Sequence, residues 1–256
     1  MVQFNTKMRK LTILIPCHNE ERGISKVIHT IPMRQLKRLE IMTEVIVIDN
    51  NSTDRTVQNA RAANAVVIRE EKKGKGNAIL TGFKSVQRGT HFVVMLDGDN
   101  TYKSKEIIRM IEPLMNNFCD VVVGSRLSGK IKKNSLKFQN RVANWIYTFI
   151  VRQFYKANVT DVLSGYFAWK KEVLDALAPH LKSEGFEIEM EMITKMKRLG
   201  FDMYSVPITY DEREGETKID SLRDCIKILN MFARNLFWSP TIKKRQELVV
   251  EKSKAF

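Results

Sequence analysis

The sequence has 256 residues, which suits one large α/β domain, and its hydrophobic fraction of 43% with six prolines excludes a disordered chain. Its 43 Lys and Arg outnumber 29 Asp and Glu, and the net charge of +14 favours an anionic partner: nucleic acid, a phospholipid surface or a phosphorylated substrate. Cys17, Cys119 and Cys225 are far apart, which argues against a disulfide framework or a zinc site, and no apolar run approaches the ~18 residues of a transmembrane helix.

In the first half of the chain, short apolar runs alternate with helical patterns. Strands are predicted over residues 11–16, 44–49, 65–69, 91–96 and 120–124, and helices over residues 20–31, after Ser52-Thr53-Asp54, and over residues 75–88 and 104–115. This alternation predicts α/β architecture, with βαβ units and a mostly parallel central sheet flanked by helices. Ligands bind beyond the carboxyl ends of strands in such sheets, which is where Asp49, Asp97, Asp99 and Arg126 fall.

After residue 126 the pattern changes. Helices are predicted over about residues 136–156, 188–198 and 221–237, and strands over about residues 166–169 and 203–209. No repeat or low-complexity linker separates the two parts. We therefore predict one domain over residues 1–238, with a first half (1–125) and a specialised second half (126–238), followed by a charged tail over residues 239–256.

The sharpest motif is Asp97-Gly98-Asp99, which follows the fourth predicted strand. Two carboxylates at the end of a strand can present oxygen ligands to a hard cation such as Mg²⁺ or Mn²⁺, and Gly98 permits a tight backbone. A cation held there would neutralise the charge of a departing diphosphate. Asp-Gly is also a common turn between strands, so the neighbouring motifs decide the interpretation.

Three further motifs precede this one in a fixed order: Pro16-Cys17-His18-Asn19-Glu20, Asp49-Asn50-Asn51-Ser52-Thr53-Asp54 and Lys73-Gly74-Lys75-Gly76-Asn77-Ala78. Together the four motifs resemble the GT-A fold, family-2-type inverting glycosyltransferases. The resemblance implies a metal site at Asp97 and Asp99 and a nucleotide pocket lined by Pro16, Glu20, Asp49, Lys75, Asp97 and Gly98. The family often has two consecutive acids after the second strand. Asn50 stands in the place of the second acid, so the contacts to the base are left open.

Motifs in the second half narrow the acceptor: Gly124-Ser125-Arg126, Asn140-Arg141-Val142-Ala143-Asn144, Asp161-Val162-Leu163-Ser164-Gly165-Tyr166, Gly185-Phe186-Glu187-Ile188-Glu189 and Tyr210-Asp211-Glu212-Arg213-Glu214-Gly215-Glu216-Thr217-Lys218. Over about residues 11–238 the chain resembles the polyprenyl-phosphate subgroup, most of all the archaeal dolichyl-phosphate glycosyltransferases of N-glycan assembly. The resemblance implies a nucleotide-sugar donor in the first half and a dolichyl phosphate acceptor in the second. The base of the donor is uracil or guanine, and the archaeal resemblance favours UDP-glucose or UDP-N-acetylglucosamine. Thr101-Tyr102 stands where many mannose synthases of this subgroup have Gln, so mannose is not implied.

Side chains that bind the donor diphosphate and the acceptor phosphate are expected within these motifs. Arg126, Arg213 and Lys218 are candidates because Arg can bind phosphate through two parallel hydrogen bonds, and with Asp99 they form the expected catalytic set. Surface ion pairing would also explain Arg213, which lies among several glutamates. A second set is assigned to the acceptor or the sugar: Arg141, Asp161, Ser164, Gly165 and Glu187. A lipid monophosphate is already anionic, so we expect direct displacement with inversion and no general base.

A basic and aromatic stretch indicates contact with a membrane surface. Residues 126–158 contain no Asp or Glu and interleave Lys and Arg with aromatic residues such as Trp145 and Phe149. Such a segment suits the headgroup level of a membrane, and residues 222–238 carry a second apolar stripe at helical spacing. Both segments fit core-facing helices equally well. The membrane interpretation predicts a cytoplasmic enzyme, peripheral on the cytoplasmic membrane face and without a transmembrane segment.

Two other functions stay open on the sequence. An enzyme of the same fold could act on a soluble saccharide or a phosphorylated acceptor. A nucleic-acid-binding protein would fit the charge of +14, but it would leave Asp97 and Asp99 without a role, and no motif that reads RNA or DNA is present. We therefore expect no nucleic-acid partner.

Overall fold

The computed structural model describes residues 8–133, 135–214 and 221–240. Its centre is a seven-stranded sheet with the strand order β3-β2-β1-β4-β6-β5-β7. The strands are β1 (Arg9–Cys17), β2 (Ile41–Asp49), β3 (Val66–Arg69), β4 (Phe92–Met95), β5 (Val121–Ile131), β6 (Phe167–Lys170) and β7 (Met203–Tyr210). Only the pairings of β6 with β4 and with β5 are antiparallel, so the sheet is mostly parallel, as the sequence predicts.

Helices cover both faces of this sheet. They are α1 (Ile24–His29), α2 (Met33–Arg38), α3 (Thr56–Ala62), α4 (Lys75–Ser85), α5 (Ile107–Met115), α6 (Phe138–Tyr155), α7 (Lys171–Leu177), α8 (Ile188–Arg198) and α9 (Ser221–Leu236), with short 3₁₀ turns at Ser104–Glu106 and Ala178–His180. In the part of the chain that the structure describes, no helix is both long enough and apolar enough to cross a bilayer.

The apolar runs of the strands become two core layers. In β1, Leu14 packs in one layer with residues of α4, α6, α7 and α8, whereas Ile13 and Ile15 pack in the other with residues of α1, α3 and α5. Residues 11–17 are all buried, because a parallel strand covered on both faces needs apolar side chains at successive positions. This explains why the sequence of β1 does not alternate.

The predicted elements are present, with informative differences at their ends. The first helix begins only at Ile24, because Asn19 takes a positive φ of 52° and residues 18–23 form bends and turns. Two short helices that the sequence patterns do not predict, α2 and α7, follow Pro32 and β6. Strand β5 runs on to Ile131 beyond an irregularity after Ser125, because its continuation pairs with β7.

Parallel register places the polar strand ends together. Cys17 pairs with Asp49, so β1 and β2 end at the same edge of the sheet. Strand β4 lies beside β1, and Asp97 follows it two residues beyond Met95. Most of the predicted charged tail, residues 241–256, lies outside the described residues.

Candidate active site

A cavity of about 270 Å³ opens at the carboxyl edge of β1 and β4. Several residues that the sequence singles out line it: Pro16, Glu20, Lys75, Asp97, Gly98 and Arg213. Phe186, from the segment before α8, closes one side of the cavity, and its ring lies 5.9 Å from the Lys75 ammonium. Residues distant in sequence therefore meet at the sheet edge where a ligand is expected.

Lys75 is held between two carboxylates in this cavity. Its Nζ lies 3.0 Å from Asp97 Oδ1 and 2.7 Å from Glu189 Oε1. Burial alone would lower the pKa of Lys75, but the charges of Asp97 and Glu189 raise it above its usual value, so the ammonium stays charged. The same burial raises the pKa of Glu189, while Lys75 opposes that shift.

Asp99 is matched by a second cation. Arg213 lies 3.0 Å from Asp99 Oδ2 and donates a hydrogen bond of 2.6 Å to Glu20 Oε1. Asp99 is 2% exposed, and its Oδ1 accepts hydrogen bonds from the backbone N–H and the hydroxyl of Thr101. The pKa of Asp99 is raised, first because the group is buried and then because Asp97 adds a like charge. Asp97 and Asp99 thus form a concentrated negative site that chain cations balance in part.

The donor set of this site fits a hard divalent cation that a substrate helps to bind. Asp97 and Asp99 offer carboxylate oxygens, which Mg²⁺ and Mn²⁺ prefer. Among the described residues, no group of three His, Cys, Asp or Glu is placed to hold a metal ion. Mg²⁺ commonly takes one or two protein carboxylates and completes its shell with substrate phosphates and water. The two aspartates therefore suit a metal that arrives with a diphosphate.

Asn50 ties the end of β2 to the loop before α4. Its side-chain amide donates to the carbonyl oxygens of Glu70 (3.1 Å) and Lys72 (2.8 Å), and its oxygen accepts from the Gly74 N–H (2.8 Å). Only an amide side chain can donate to those two carbonyls and accept from Gly74 at once. Asn50 therefore holds the loop that leads into Lys75. Its neighbour Asp49 is 3% exposed and accepts from the Ser52 N–H, behind the cavity wall.

A buried ion pair supports Asp97 from behind. Asp161 accepts hydrogen bonds of 2.8 Å from the Arg126 backbone N–H, Nε and Nη2, and one of 2.6 Å from Asn144. The segment that continues from Asp161 reaches Gly165, where a Cβ atom would lie only 2.4 Å from Asp97 Oδ2. Glycine is therefore required at position 165 for the segment to approach Asp97.

Comparison with known proteins decides the family. Residues 12–178, well over half of the chain, match the family described as glycosyl transferase family 2. The chain belongs to glycosyl transferase family 2. This confirms the resemblance read from the sequence motifs.

Three relatives of this family 2 chain are named as glycosyltransferases. It is 34% identical over 215 residues to the low-salt glycan biosynthesis hexosyltransferase Agl6 of Haloferax volcanii. This match covers 84% of the chain but only 51% of Agl6, so the chain spans about half the length of that relative. It is 34% identical over 214 residues to glycosyltransferase AglJ of the same organism, covering 83% of the chain and 67% of AglJ. It is 30% identical over 221 residues to undecaprenyl-phosphate mannosyltransferase of Micrococcus luteus, covering 83% of the chain and 88% of that protein.

Solved structures share the fold. Glucosyl-3-phosphoglycerate synthase from Mycobacterium tuberculosis, crystallised with Mn²⁺, UDP and glucosyl-3-phosphoglycerate, superposes with a TM-score of 0.70. The alignment covers 91% of this chain and 82% of that one at 21% identity. At this identity the likeness establishes the GT-A fold alone, and it confirms the predicted fold class.

The remaining sequence candidates of this family 2 chain lie at different distances from the cavity. Arg126 is buried in its pair with Asp161, and its guanidinium lies 5.3 Å from the centre of the Tyr210 ring. Ser164 is also buried, and its hydroxyl donates to the Gly124 carbonyl. Arg141 is exposed on α6, and Glu187 lines a different cavity. Lys218 lies outside the described residues.

Two residues beside Lys75, Glu189 and Phe186, were not assigned a role from the sequence, and of these only Phe186 lines the cavity. Glu189 contacts Lys75, whereas Glu187, two positions earlier, does not line this cavity. Glu187, Glu189 and Glu191 occupy every second position, and this spacing does not show which of them faces Lys75. The start of α8 at Ile188 sets the directions of these side chains. Phe186 lies in the motif from Gly185 to Glu189, from which only Glu187 was assigned a role.

Proposed function

We propose that this chain transfers a sugar from a nucleoside-diphosphate sugar, UDP-glucose or UDP-N-acetylglucosamine, to dolichyl or another polyprenyl phosphate. The observation that carries the proposal is the cavity lined by Asp97, Lys75 and Arg213, where Lys75 pairs with Asp97 and Arg213 pairs with the buried Asp99. Such a site suits a metal-bound diphosphate. The names of the relatives support the same reaction class, and the two Haloferax relatives support a place in glycan assembly and, with the family resemblance, in protein N-glycosylation.

The donor diphosphate would occupy the edge near Asp97 and Asp99. A divalent cation bound there would neutralise charge on the leaving nucleotide. Lys75 is held by Asp97 and Glu189, which fixes its ammonium in the cavity before any substrate binds. Asn50 keeps the loop before Lys75 in place, so the pocket is preorganised on that side. The solved GT-A relatives were crystallised with UDP and either Mn²⁺ or Mg²⁺, which supports both the base and the metals.

The acceptor phosphate would approach from the side of Arg213 and α6. It attacks as an anion, so the protein has to hold two anionic groups in line rather than remove a proton. Arg213 follows the C-terminal end of β7, and its guanidinium pairs with Asp99. Arg141 lies on the exposed side of α6. Arg126 supports this region from within through Asp161. We retain Lys218 as a candidate because it follows Arg213 in the same motif.

The outer face of α6 supports the proposal that the acceptor is a lipid. We define this face as Phe138, Val142, Trp145, Ile146 and Phe149. All five side chains are exposed, Phe138 to 78% and Trp145 to 61%. Their spacing forms one stripe along the helix, while Tyr147, Val151 and Tyr155 bury the opposite side. An apolar stripe of this size on a basic surface fits a membrane surface with anionic headgroups.

Helix α9 offers a smaller surface of the same kind. Ile226 and Leu229 are exposed, and Phe237 just beyond the helix is exposed to 90%. Ile228 is buried against the core, so α9 also has two sides. We propose that both surfaces hold the enzyme on the cytoplasmic face of a membrane.

A transfer assay tests the proposed function. Purified protein is mixed with dolichyl phosphate, Mg²⁺ or Mn²⁺, and separately UDP-glucose, UDP-N-acetylglucosamine or GDP-mannose, and glycolipid is identified by mass spectrometry. We expect product with a UDP-sugar, loss of product with a chelator, and a β-linked sugar from an α-linked donor by NMR. A parallel arm offers soluble saccharides and phosphorylated acceptors. Product only in that arm would replace the lipid acceptor with a soluble one.

A further inference from the structure

We call the first cavity, which Asp97, Lys75 and Phe186 line, the donor cavity. A second cavity, of about 560 Å³, lies between α8 and α9, on the other side of the segment that contains Phe186. We call residues 182–187 the partition loop. Phe186 of this loop faces the donor cavity, whereas Ser183, Gly185 and Glu187 line the second cavity. One short loop therefore separates the two.

The partition loop is packed tightly against the donor site. The Glu184 carbonyl accepts a hydrogen bond of 2.9 Å from the Gly76 N–H, one residue after Lys75. A Cβ atom on Gly76 would lie only 2.1 Å from the Ser183 carbonyl oxygen. A ligand that holds the partition loop from its far side therefore also acts on Phe186 and on the backbone at Gly76, next to Lys75.

Buried polar atoms in the second cavity have no partner within the described residues. Ser183 is 2% exposed and its hydroxyl makes no hydrogen bond there, and Glu187 Oε2 is likewise unpaired. Buried polar groups are almost always hydrogen-bonded, to protein or to bound molecules. Both residues line the cavity, so rotation of either side chain would let a polar ligand there supply the missing partner.

The charges around the cavity define the ligand. Glu191 is already engaged, because it accepts from the backbone of Lys182 and Ser183 and pairs with Lys195. Glu184 pairs with Lys72. Over residues 8–133, 135–214 and 221–240, no ion pair engages Lys182, Lys227 or Arg234. Against Glu187 alone, these three cations leave a surplus of two positive charges. A phosphate monoester carries about −1.5 to −2 at neutral pH.

We propose that the second cavity binds a hydroxyl-bearing phosphate ester and thereby orders the partition loop for donor binding. The phosphate contacts Lys227 and Arg234 on α9, and a ligand hydroxyl donates to Glu187 Oε2. A free sugar phosphate and a phosphatidylglycerol headgroup both join a phosphate to hydroxyl groups, although the headgroup phosphate is a diester that carries only one negative charge. The binding part of the proposal is independent of catalysis, whereas the donor effect rests on the proposed function.

Calorimetry tests the binding part, with UDP and Mg²⁺ at saturation so that the donor cavity is filled. The heat of UDP binding itself reports separately whether the donor site exists. Glucose 6-phosphate is the probe, with glucose and inorganic phosphate as partial ligands. We expect glucose 6-phosphate to bind at least about tenfold more tightly than inorganic phosphate, and glucose to give no signal. No binding of glucose 6-phosphate at millimolar concentration would overturn the site.

Matched variants locate the site. Lys227→Gln with Arg234→Gln should weaken glucose 6-phosphate binding at least about tenfold, and Ser183→Ala should weaken it less. Lys37→Gln with Arg38→Gln removes the same charge from α2, which is exposed elsewhere, and should leave binding unchanged. Equal loss in both double variants would mean a nonspecific charge effect and would refute the site.

Two further experiments measure the effect of the ligand on donor binding and identify whether the ligand is a lipid headgroup or a free metabolite. In transfer assays, glucose 6-phosphate should lower the donor KM of the unmodified chain severalfold and leave the Lys227→Gln, Arg234→Gln variant unaffected. An unchanged KM despite binding would overturn the coupling. Phosphatidylglycerol vesicles that displace glucose 6-phosphate would identify a headgroup as the source. Vesicles that do not displace it would identify a free metabolite, and both results support the site.

Discussion

The donor edge of the sheet and the outer face of α6 differ in how completely their side chains are satisfied. At the donor edge two cations are paired with carboxylates: Lys75 lies between Asp97 and Glu189, and Arg213 lies between Glu20 and Asp99. On the outer face of α6, five large apolar side chains are exposed. The first region is preorganised for a small charged ligand, and the second is suited to a large apolar partner.

This difference predicts where substitutions act. At the donor edge, removal of one charge leaves its partner buried without compensation, which costs stability or catalysis. On the outer face of α6, removal of an apolar side chain loses little folding energy, because most of its surface is exposed already. Five predictions test this comparison, from the largest expected effect to the smallest.

The buried pair behind Asp97 should give the largest loss of stability. Asp161 is fully buried and holds Arg126, so Asp161→Asn leaves a buried guanidinium without its counter-charge. We expect the free energy of unfolding to fall by about 3–5 kcal/mol in urea titrations. Asp175→Asn is the control, because it breaks an exposed pair with Lys171 and should cost less than about 0.5 kcal/mol. A loss below about 1 kcal/mol for Asp161→Asn would contradict a structural role for the pair.

Asp97→Asn should give the largest loss of activity. The substitution keeps the size of the side chain but removes the charge that would bind a cation and that now holds Lys75. We expect sugar transfer at saturating donor to fall by about 10²–10³-fold with little change in thermal stability. Asp175→Asn again serves as the control. Retention of more than about a tenth of the activity would remove Asp97 from the metal site.

Asn50→Asp should weaken donor binding without abolishing transfer. A carboxylate cannot donate to the carbonyl oxygens of Glu70 and Lys72, so the loop before Lys75 loses two hydrogen bonds and faces like-charge repulsion. We expect the donor KM to rise about tenfold, which corresponds to about 1.4 kcal/mol. Asn51→Asp is a matched neighbour, since Asn51 donates to the Glu71 carbonyl on the exposed surface. Equal effects of both substitutions would argue against a specific role for Asn50.

Asn50 also marks where sequence reasoning ends. Apolar runs located the strands, and parallel connection explains why Asp97 and Pro16 meet at one edge. The sequence showed that Asn50 departs from the family pattern. Its partners could not be predicted, because they are backbone carbonyl groups of a distant loop, which every residue type carries. Glu189 was missed for a related reason, because the rotation of α8 decides which glutamate faces Lys75. The division of the chain at residue 125 stays a prediction.

The outer face of α6 should govern membrane binding. Trp145 and Phe149 stack with ring centres 6.0 Å apart and are exposed. We expect Trp145→Ser with Phe149→Ser to weaken flotation with anionic vesicles at least about tenfold. Transfer to a short, soluble polyprenyl phosphate should be unchanged. Phe118→Ser removes an exposed aromatic residue from another surface and should float normally. Undiminished flotation of the double variant would separate α6 from the membrane.

The smallest effect is expected at Asp211, which bridges a lysine of the first half of the chain and one of the second. Its carboxylate lies 2.8 Å from Lys103 of the first half and 2.7 Å from Lys132 of the second. Burial alone would raise the pKa of Asp211, but hydrogen bonds from Lys103 and Lys132 lower it from 3.8 to about 2. A lowered pKa in the folded state means that the pair stabilises the protein above about pH 4, and that this stabilisation is lost as the pH falls towards 2.

Asp211→Asn should therefore reduce the free energy of unfolding at neutral pH by less than about 1 kcal/mol, since the carboxylate is close to solvent. The difference from the unmodified chain should shrink between about pH 4 and pH 2, where the native carboxylate takes up its proton. Urea titrations across this range measure it, with Glu212→Gln as the exposed neighbouring control. A difference that stays constant with pH would mean that the charge of the Asp211 carboxylate does not account for the lost stability.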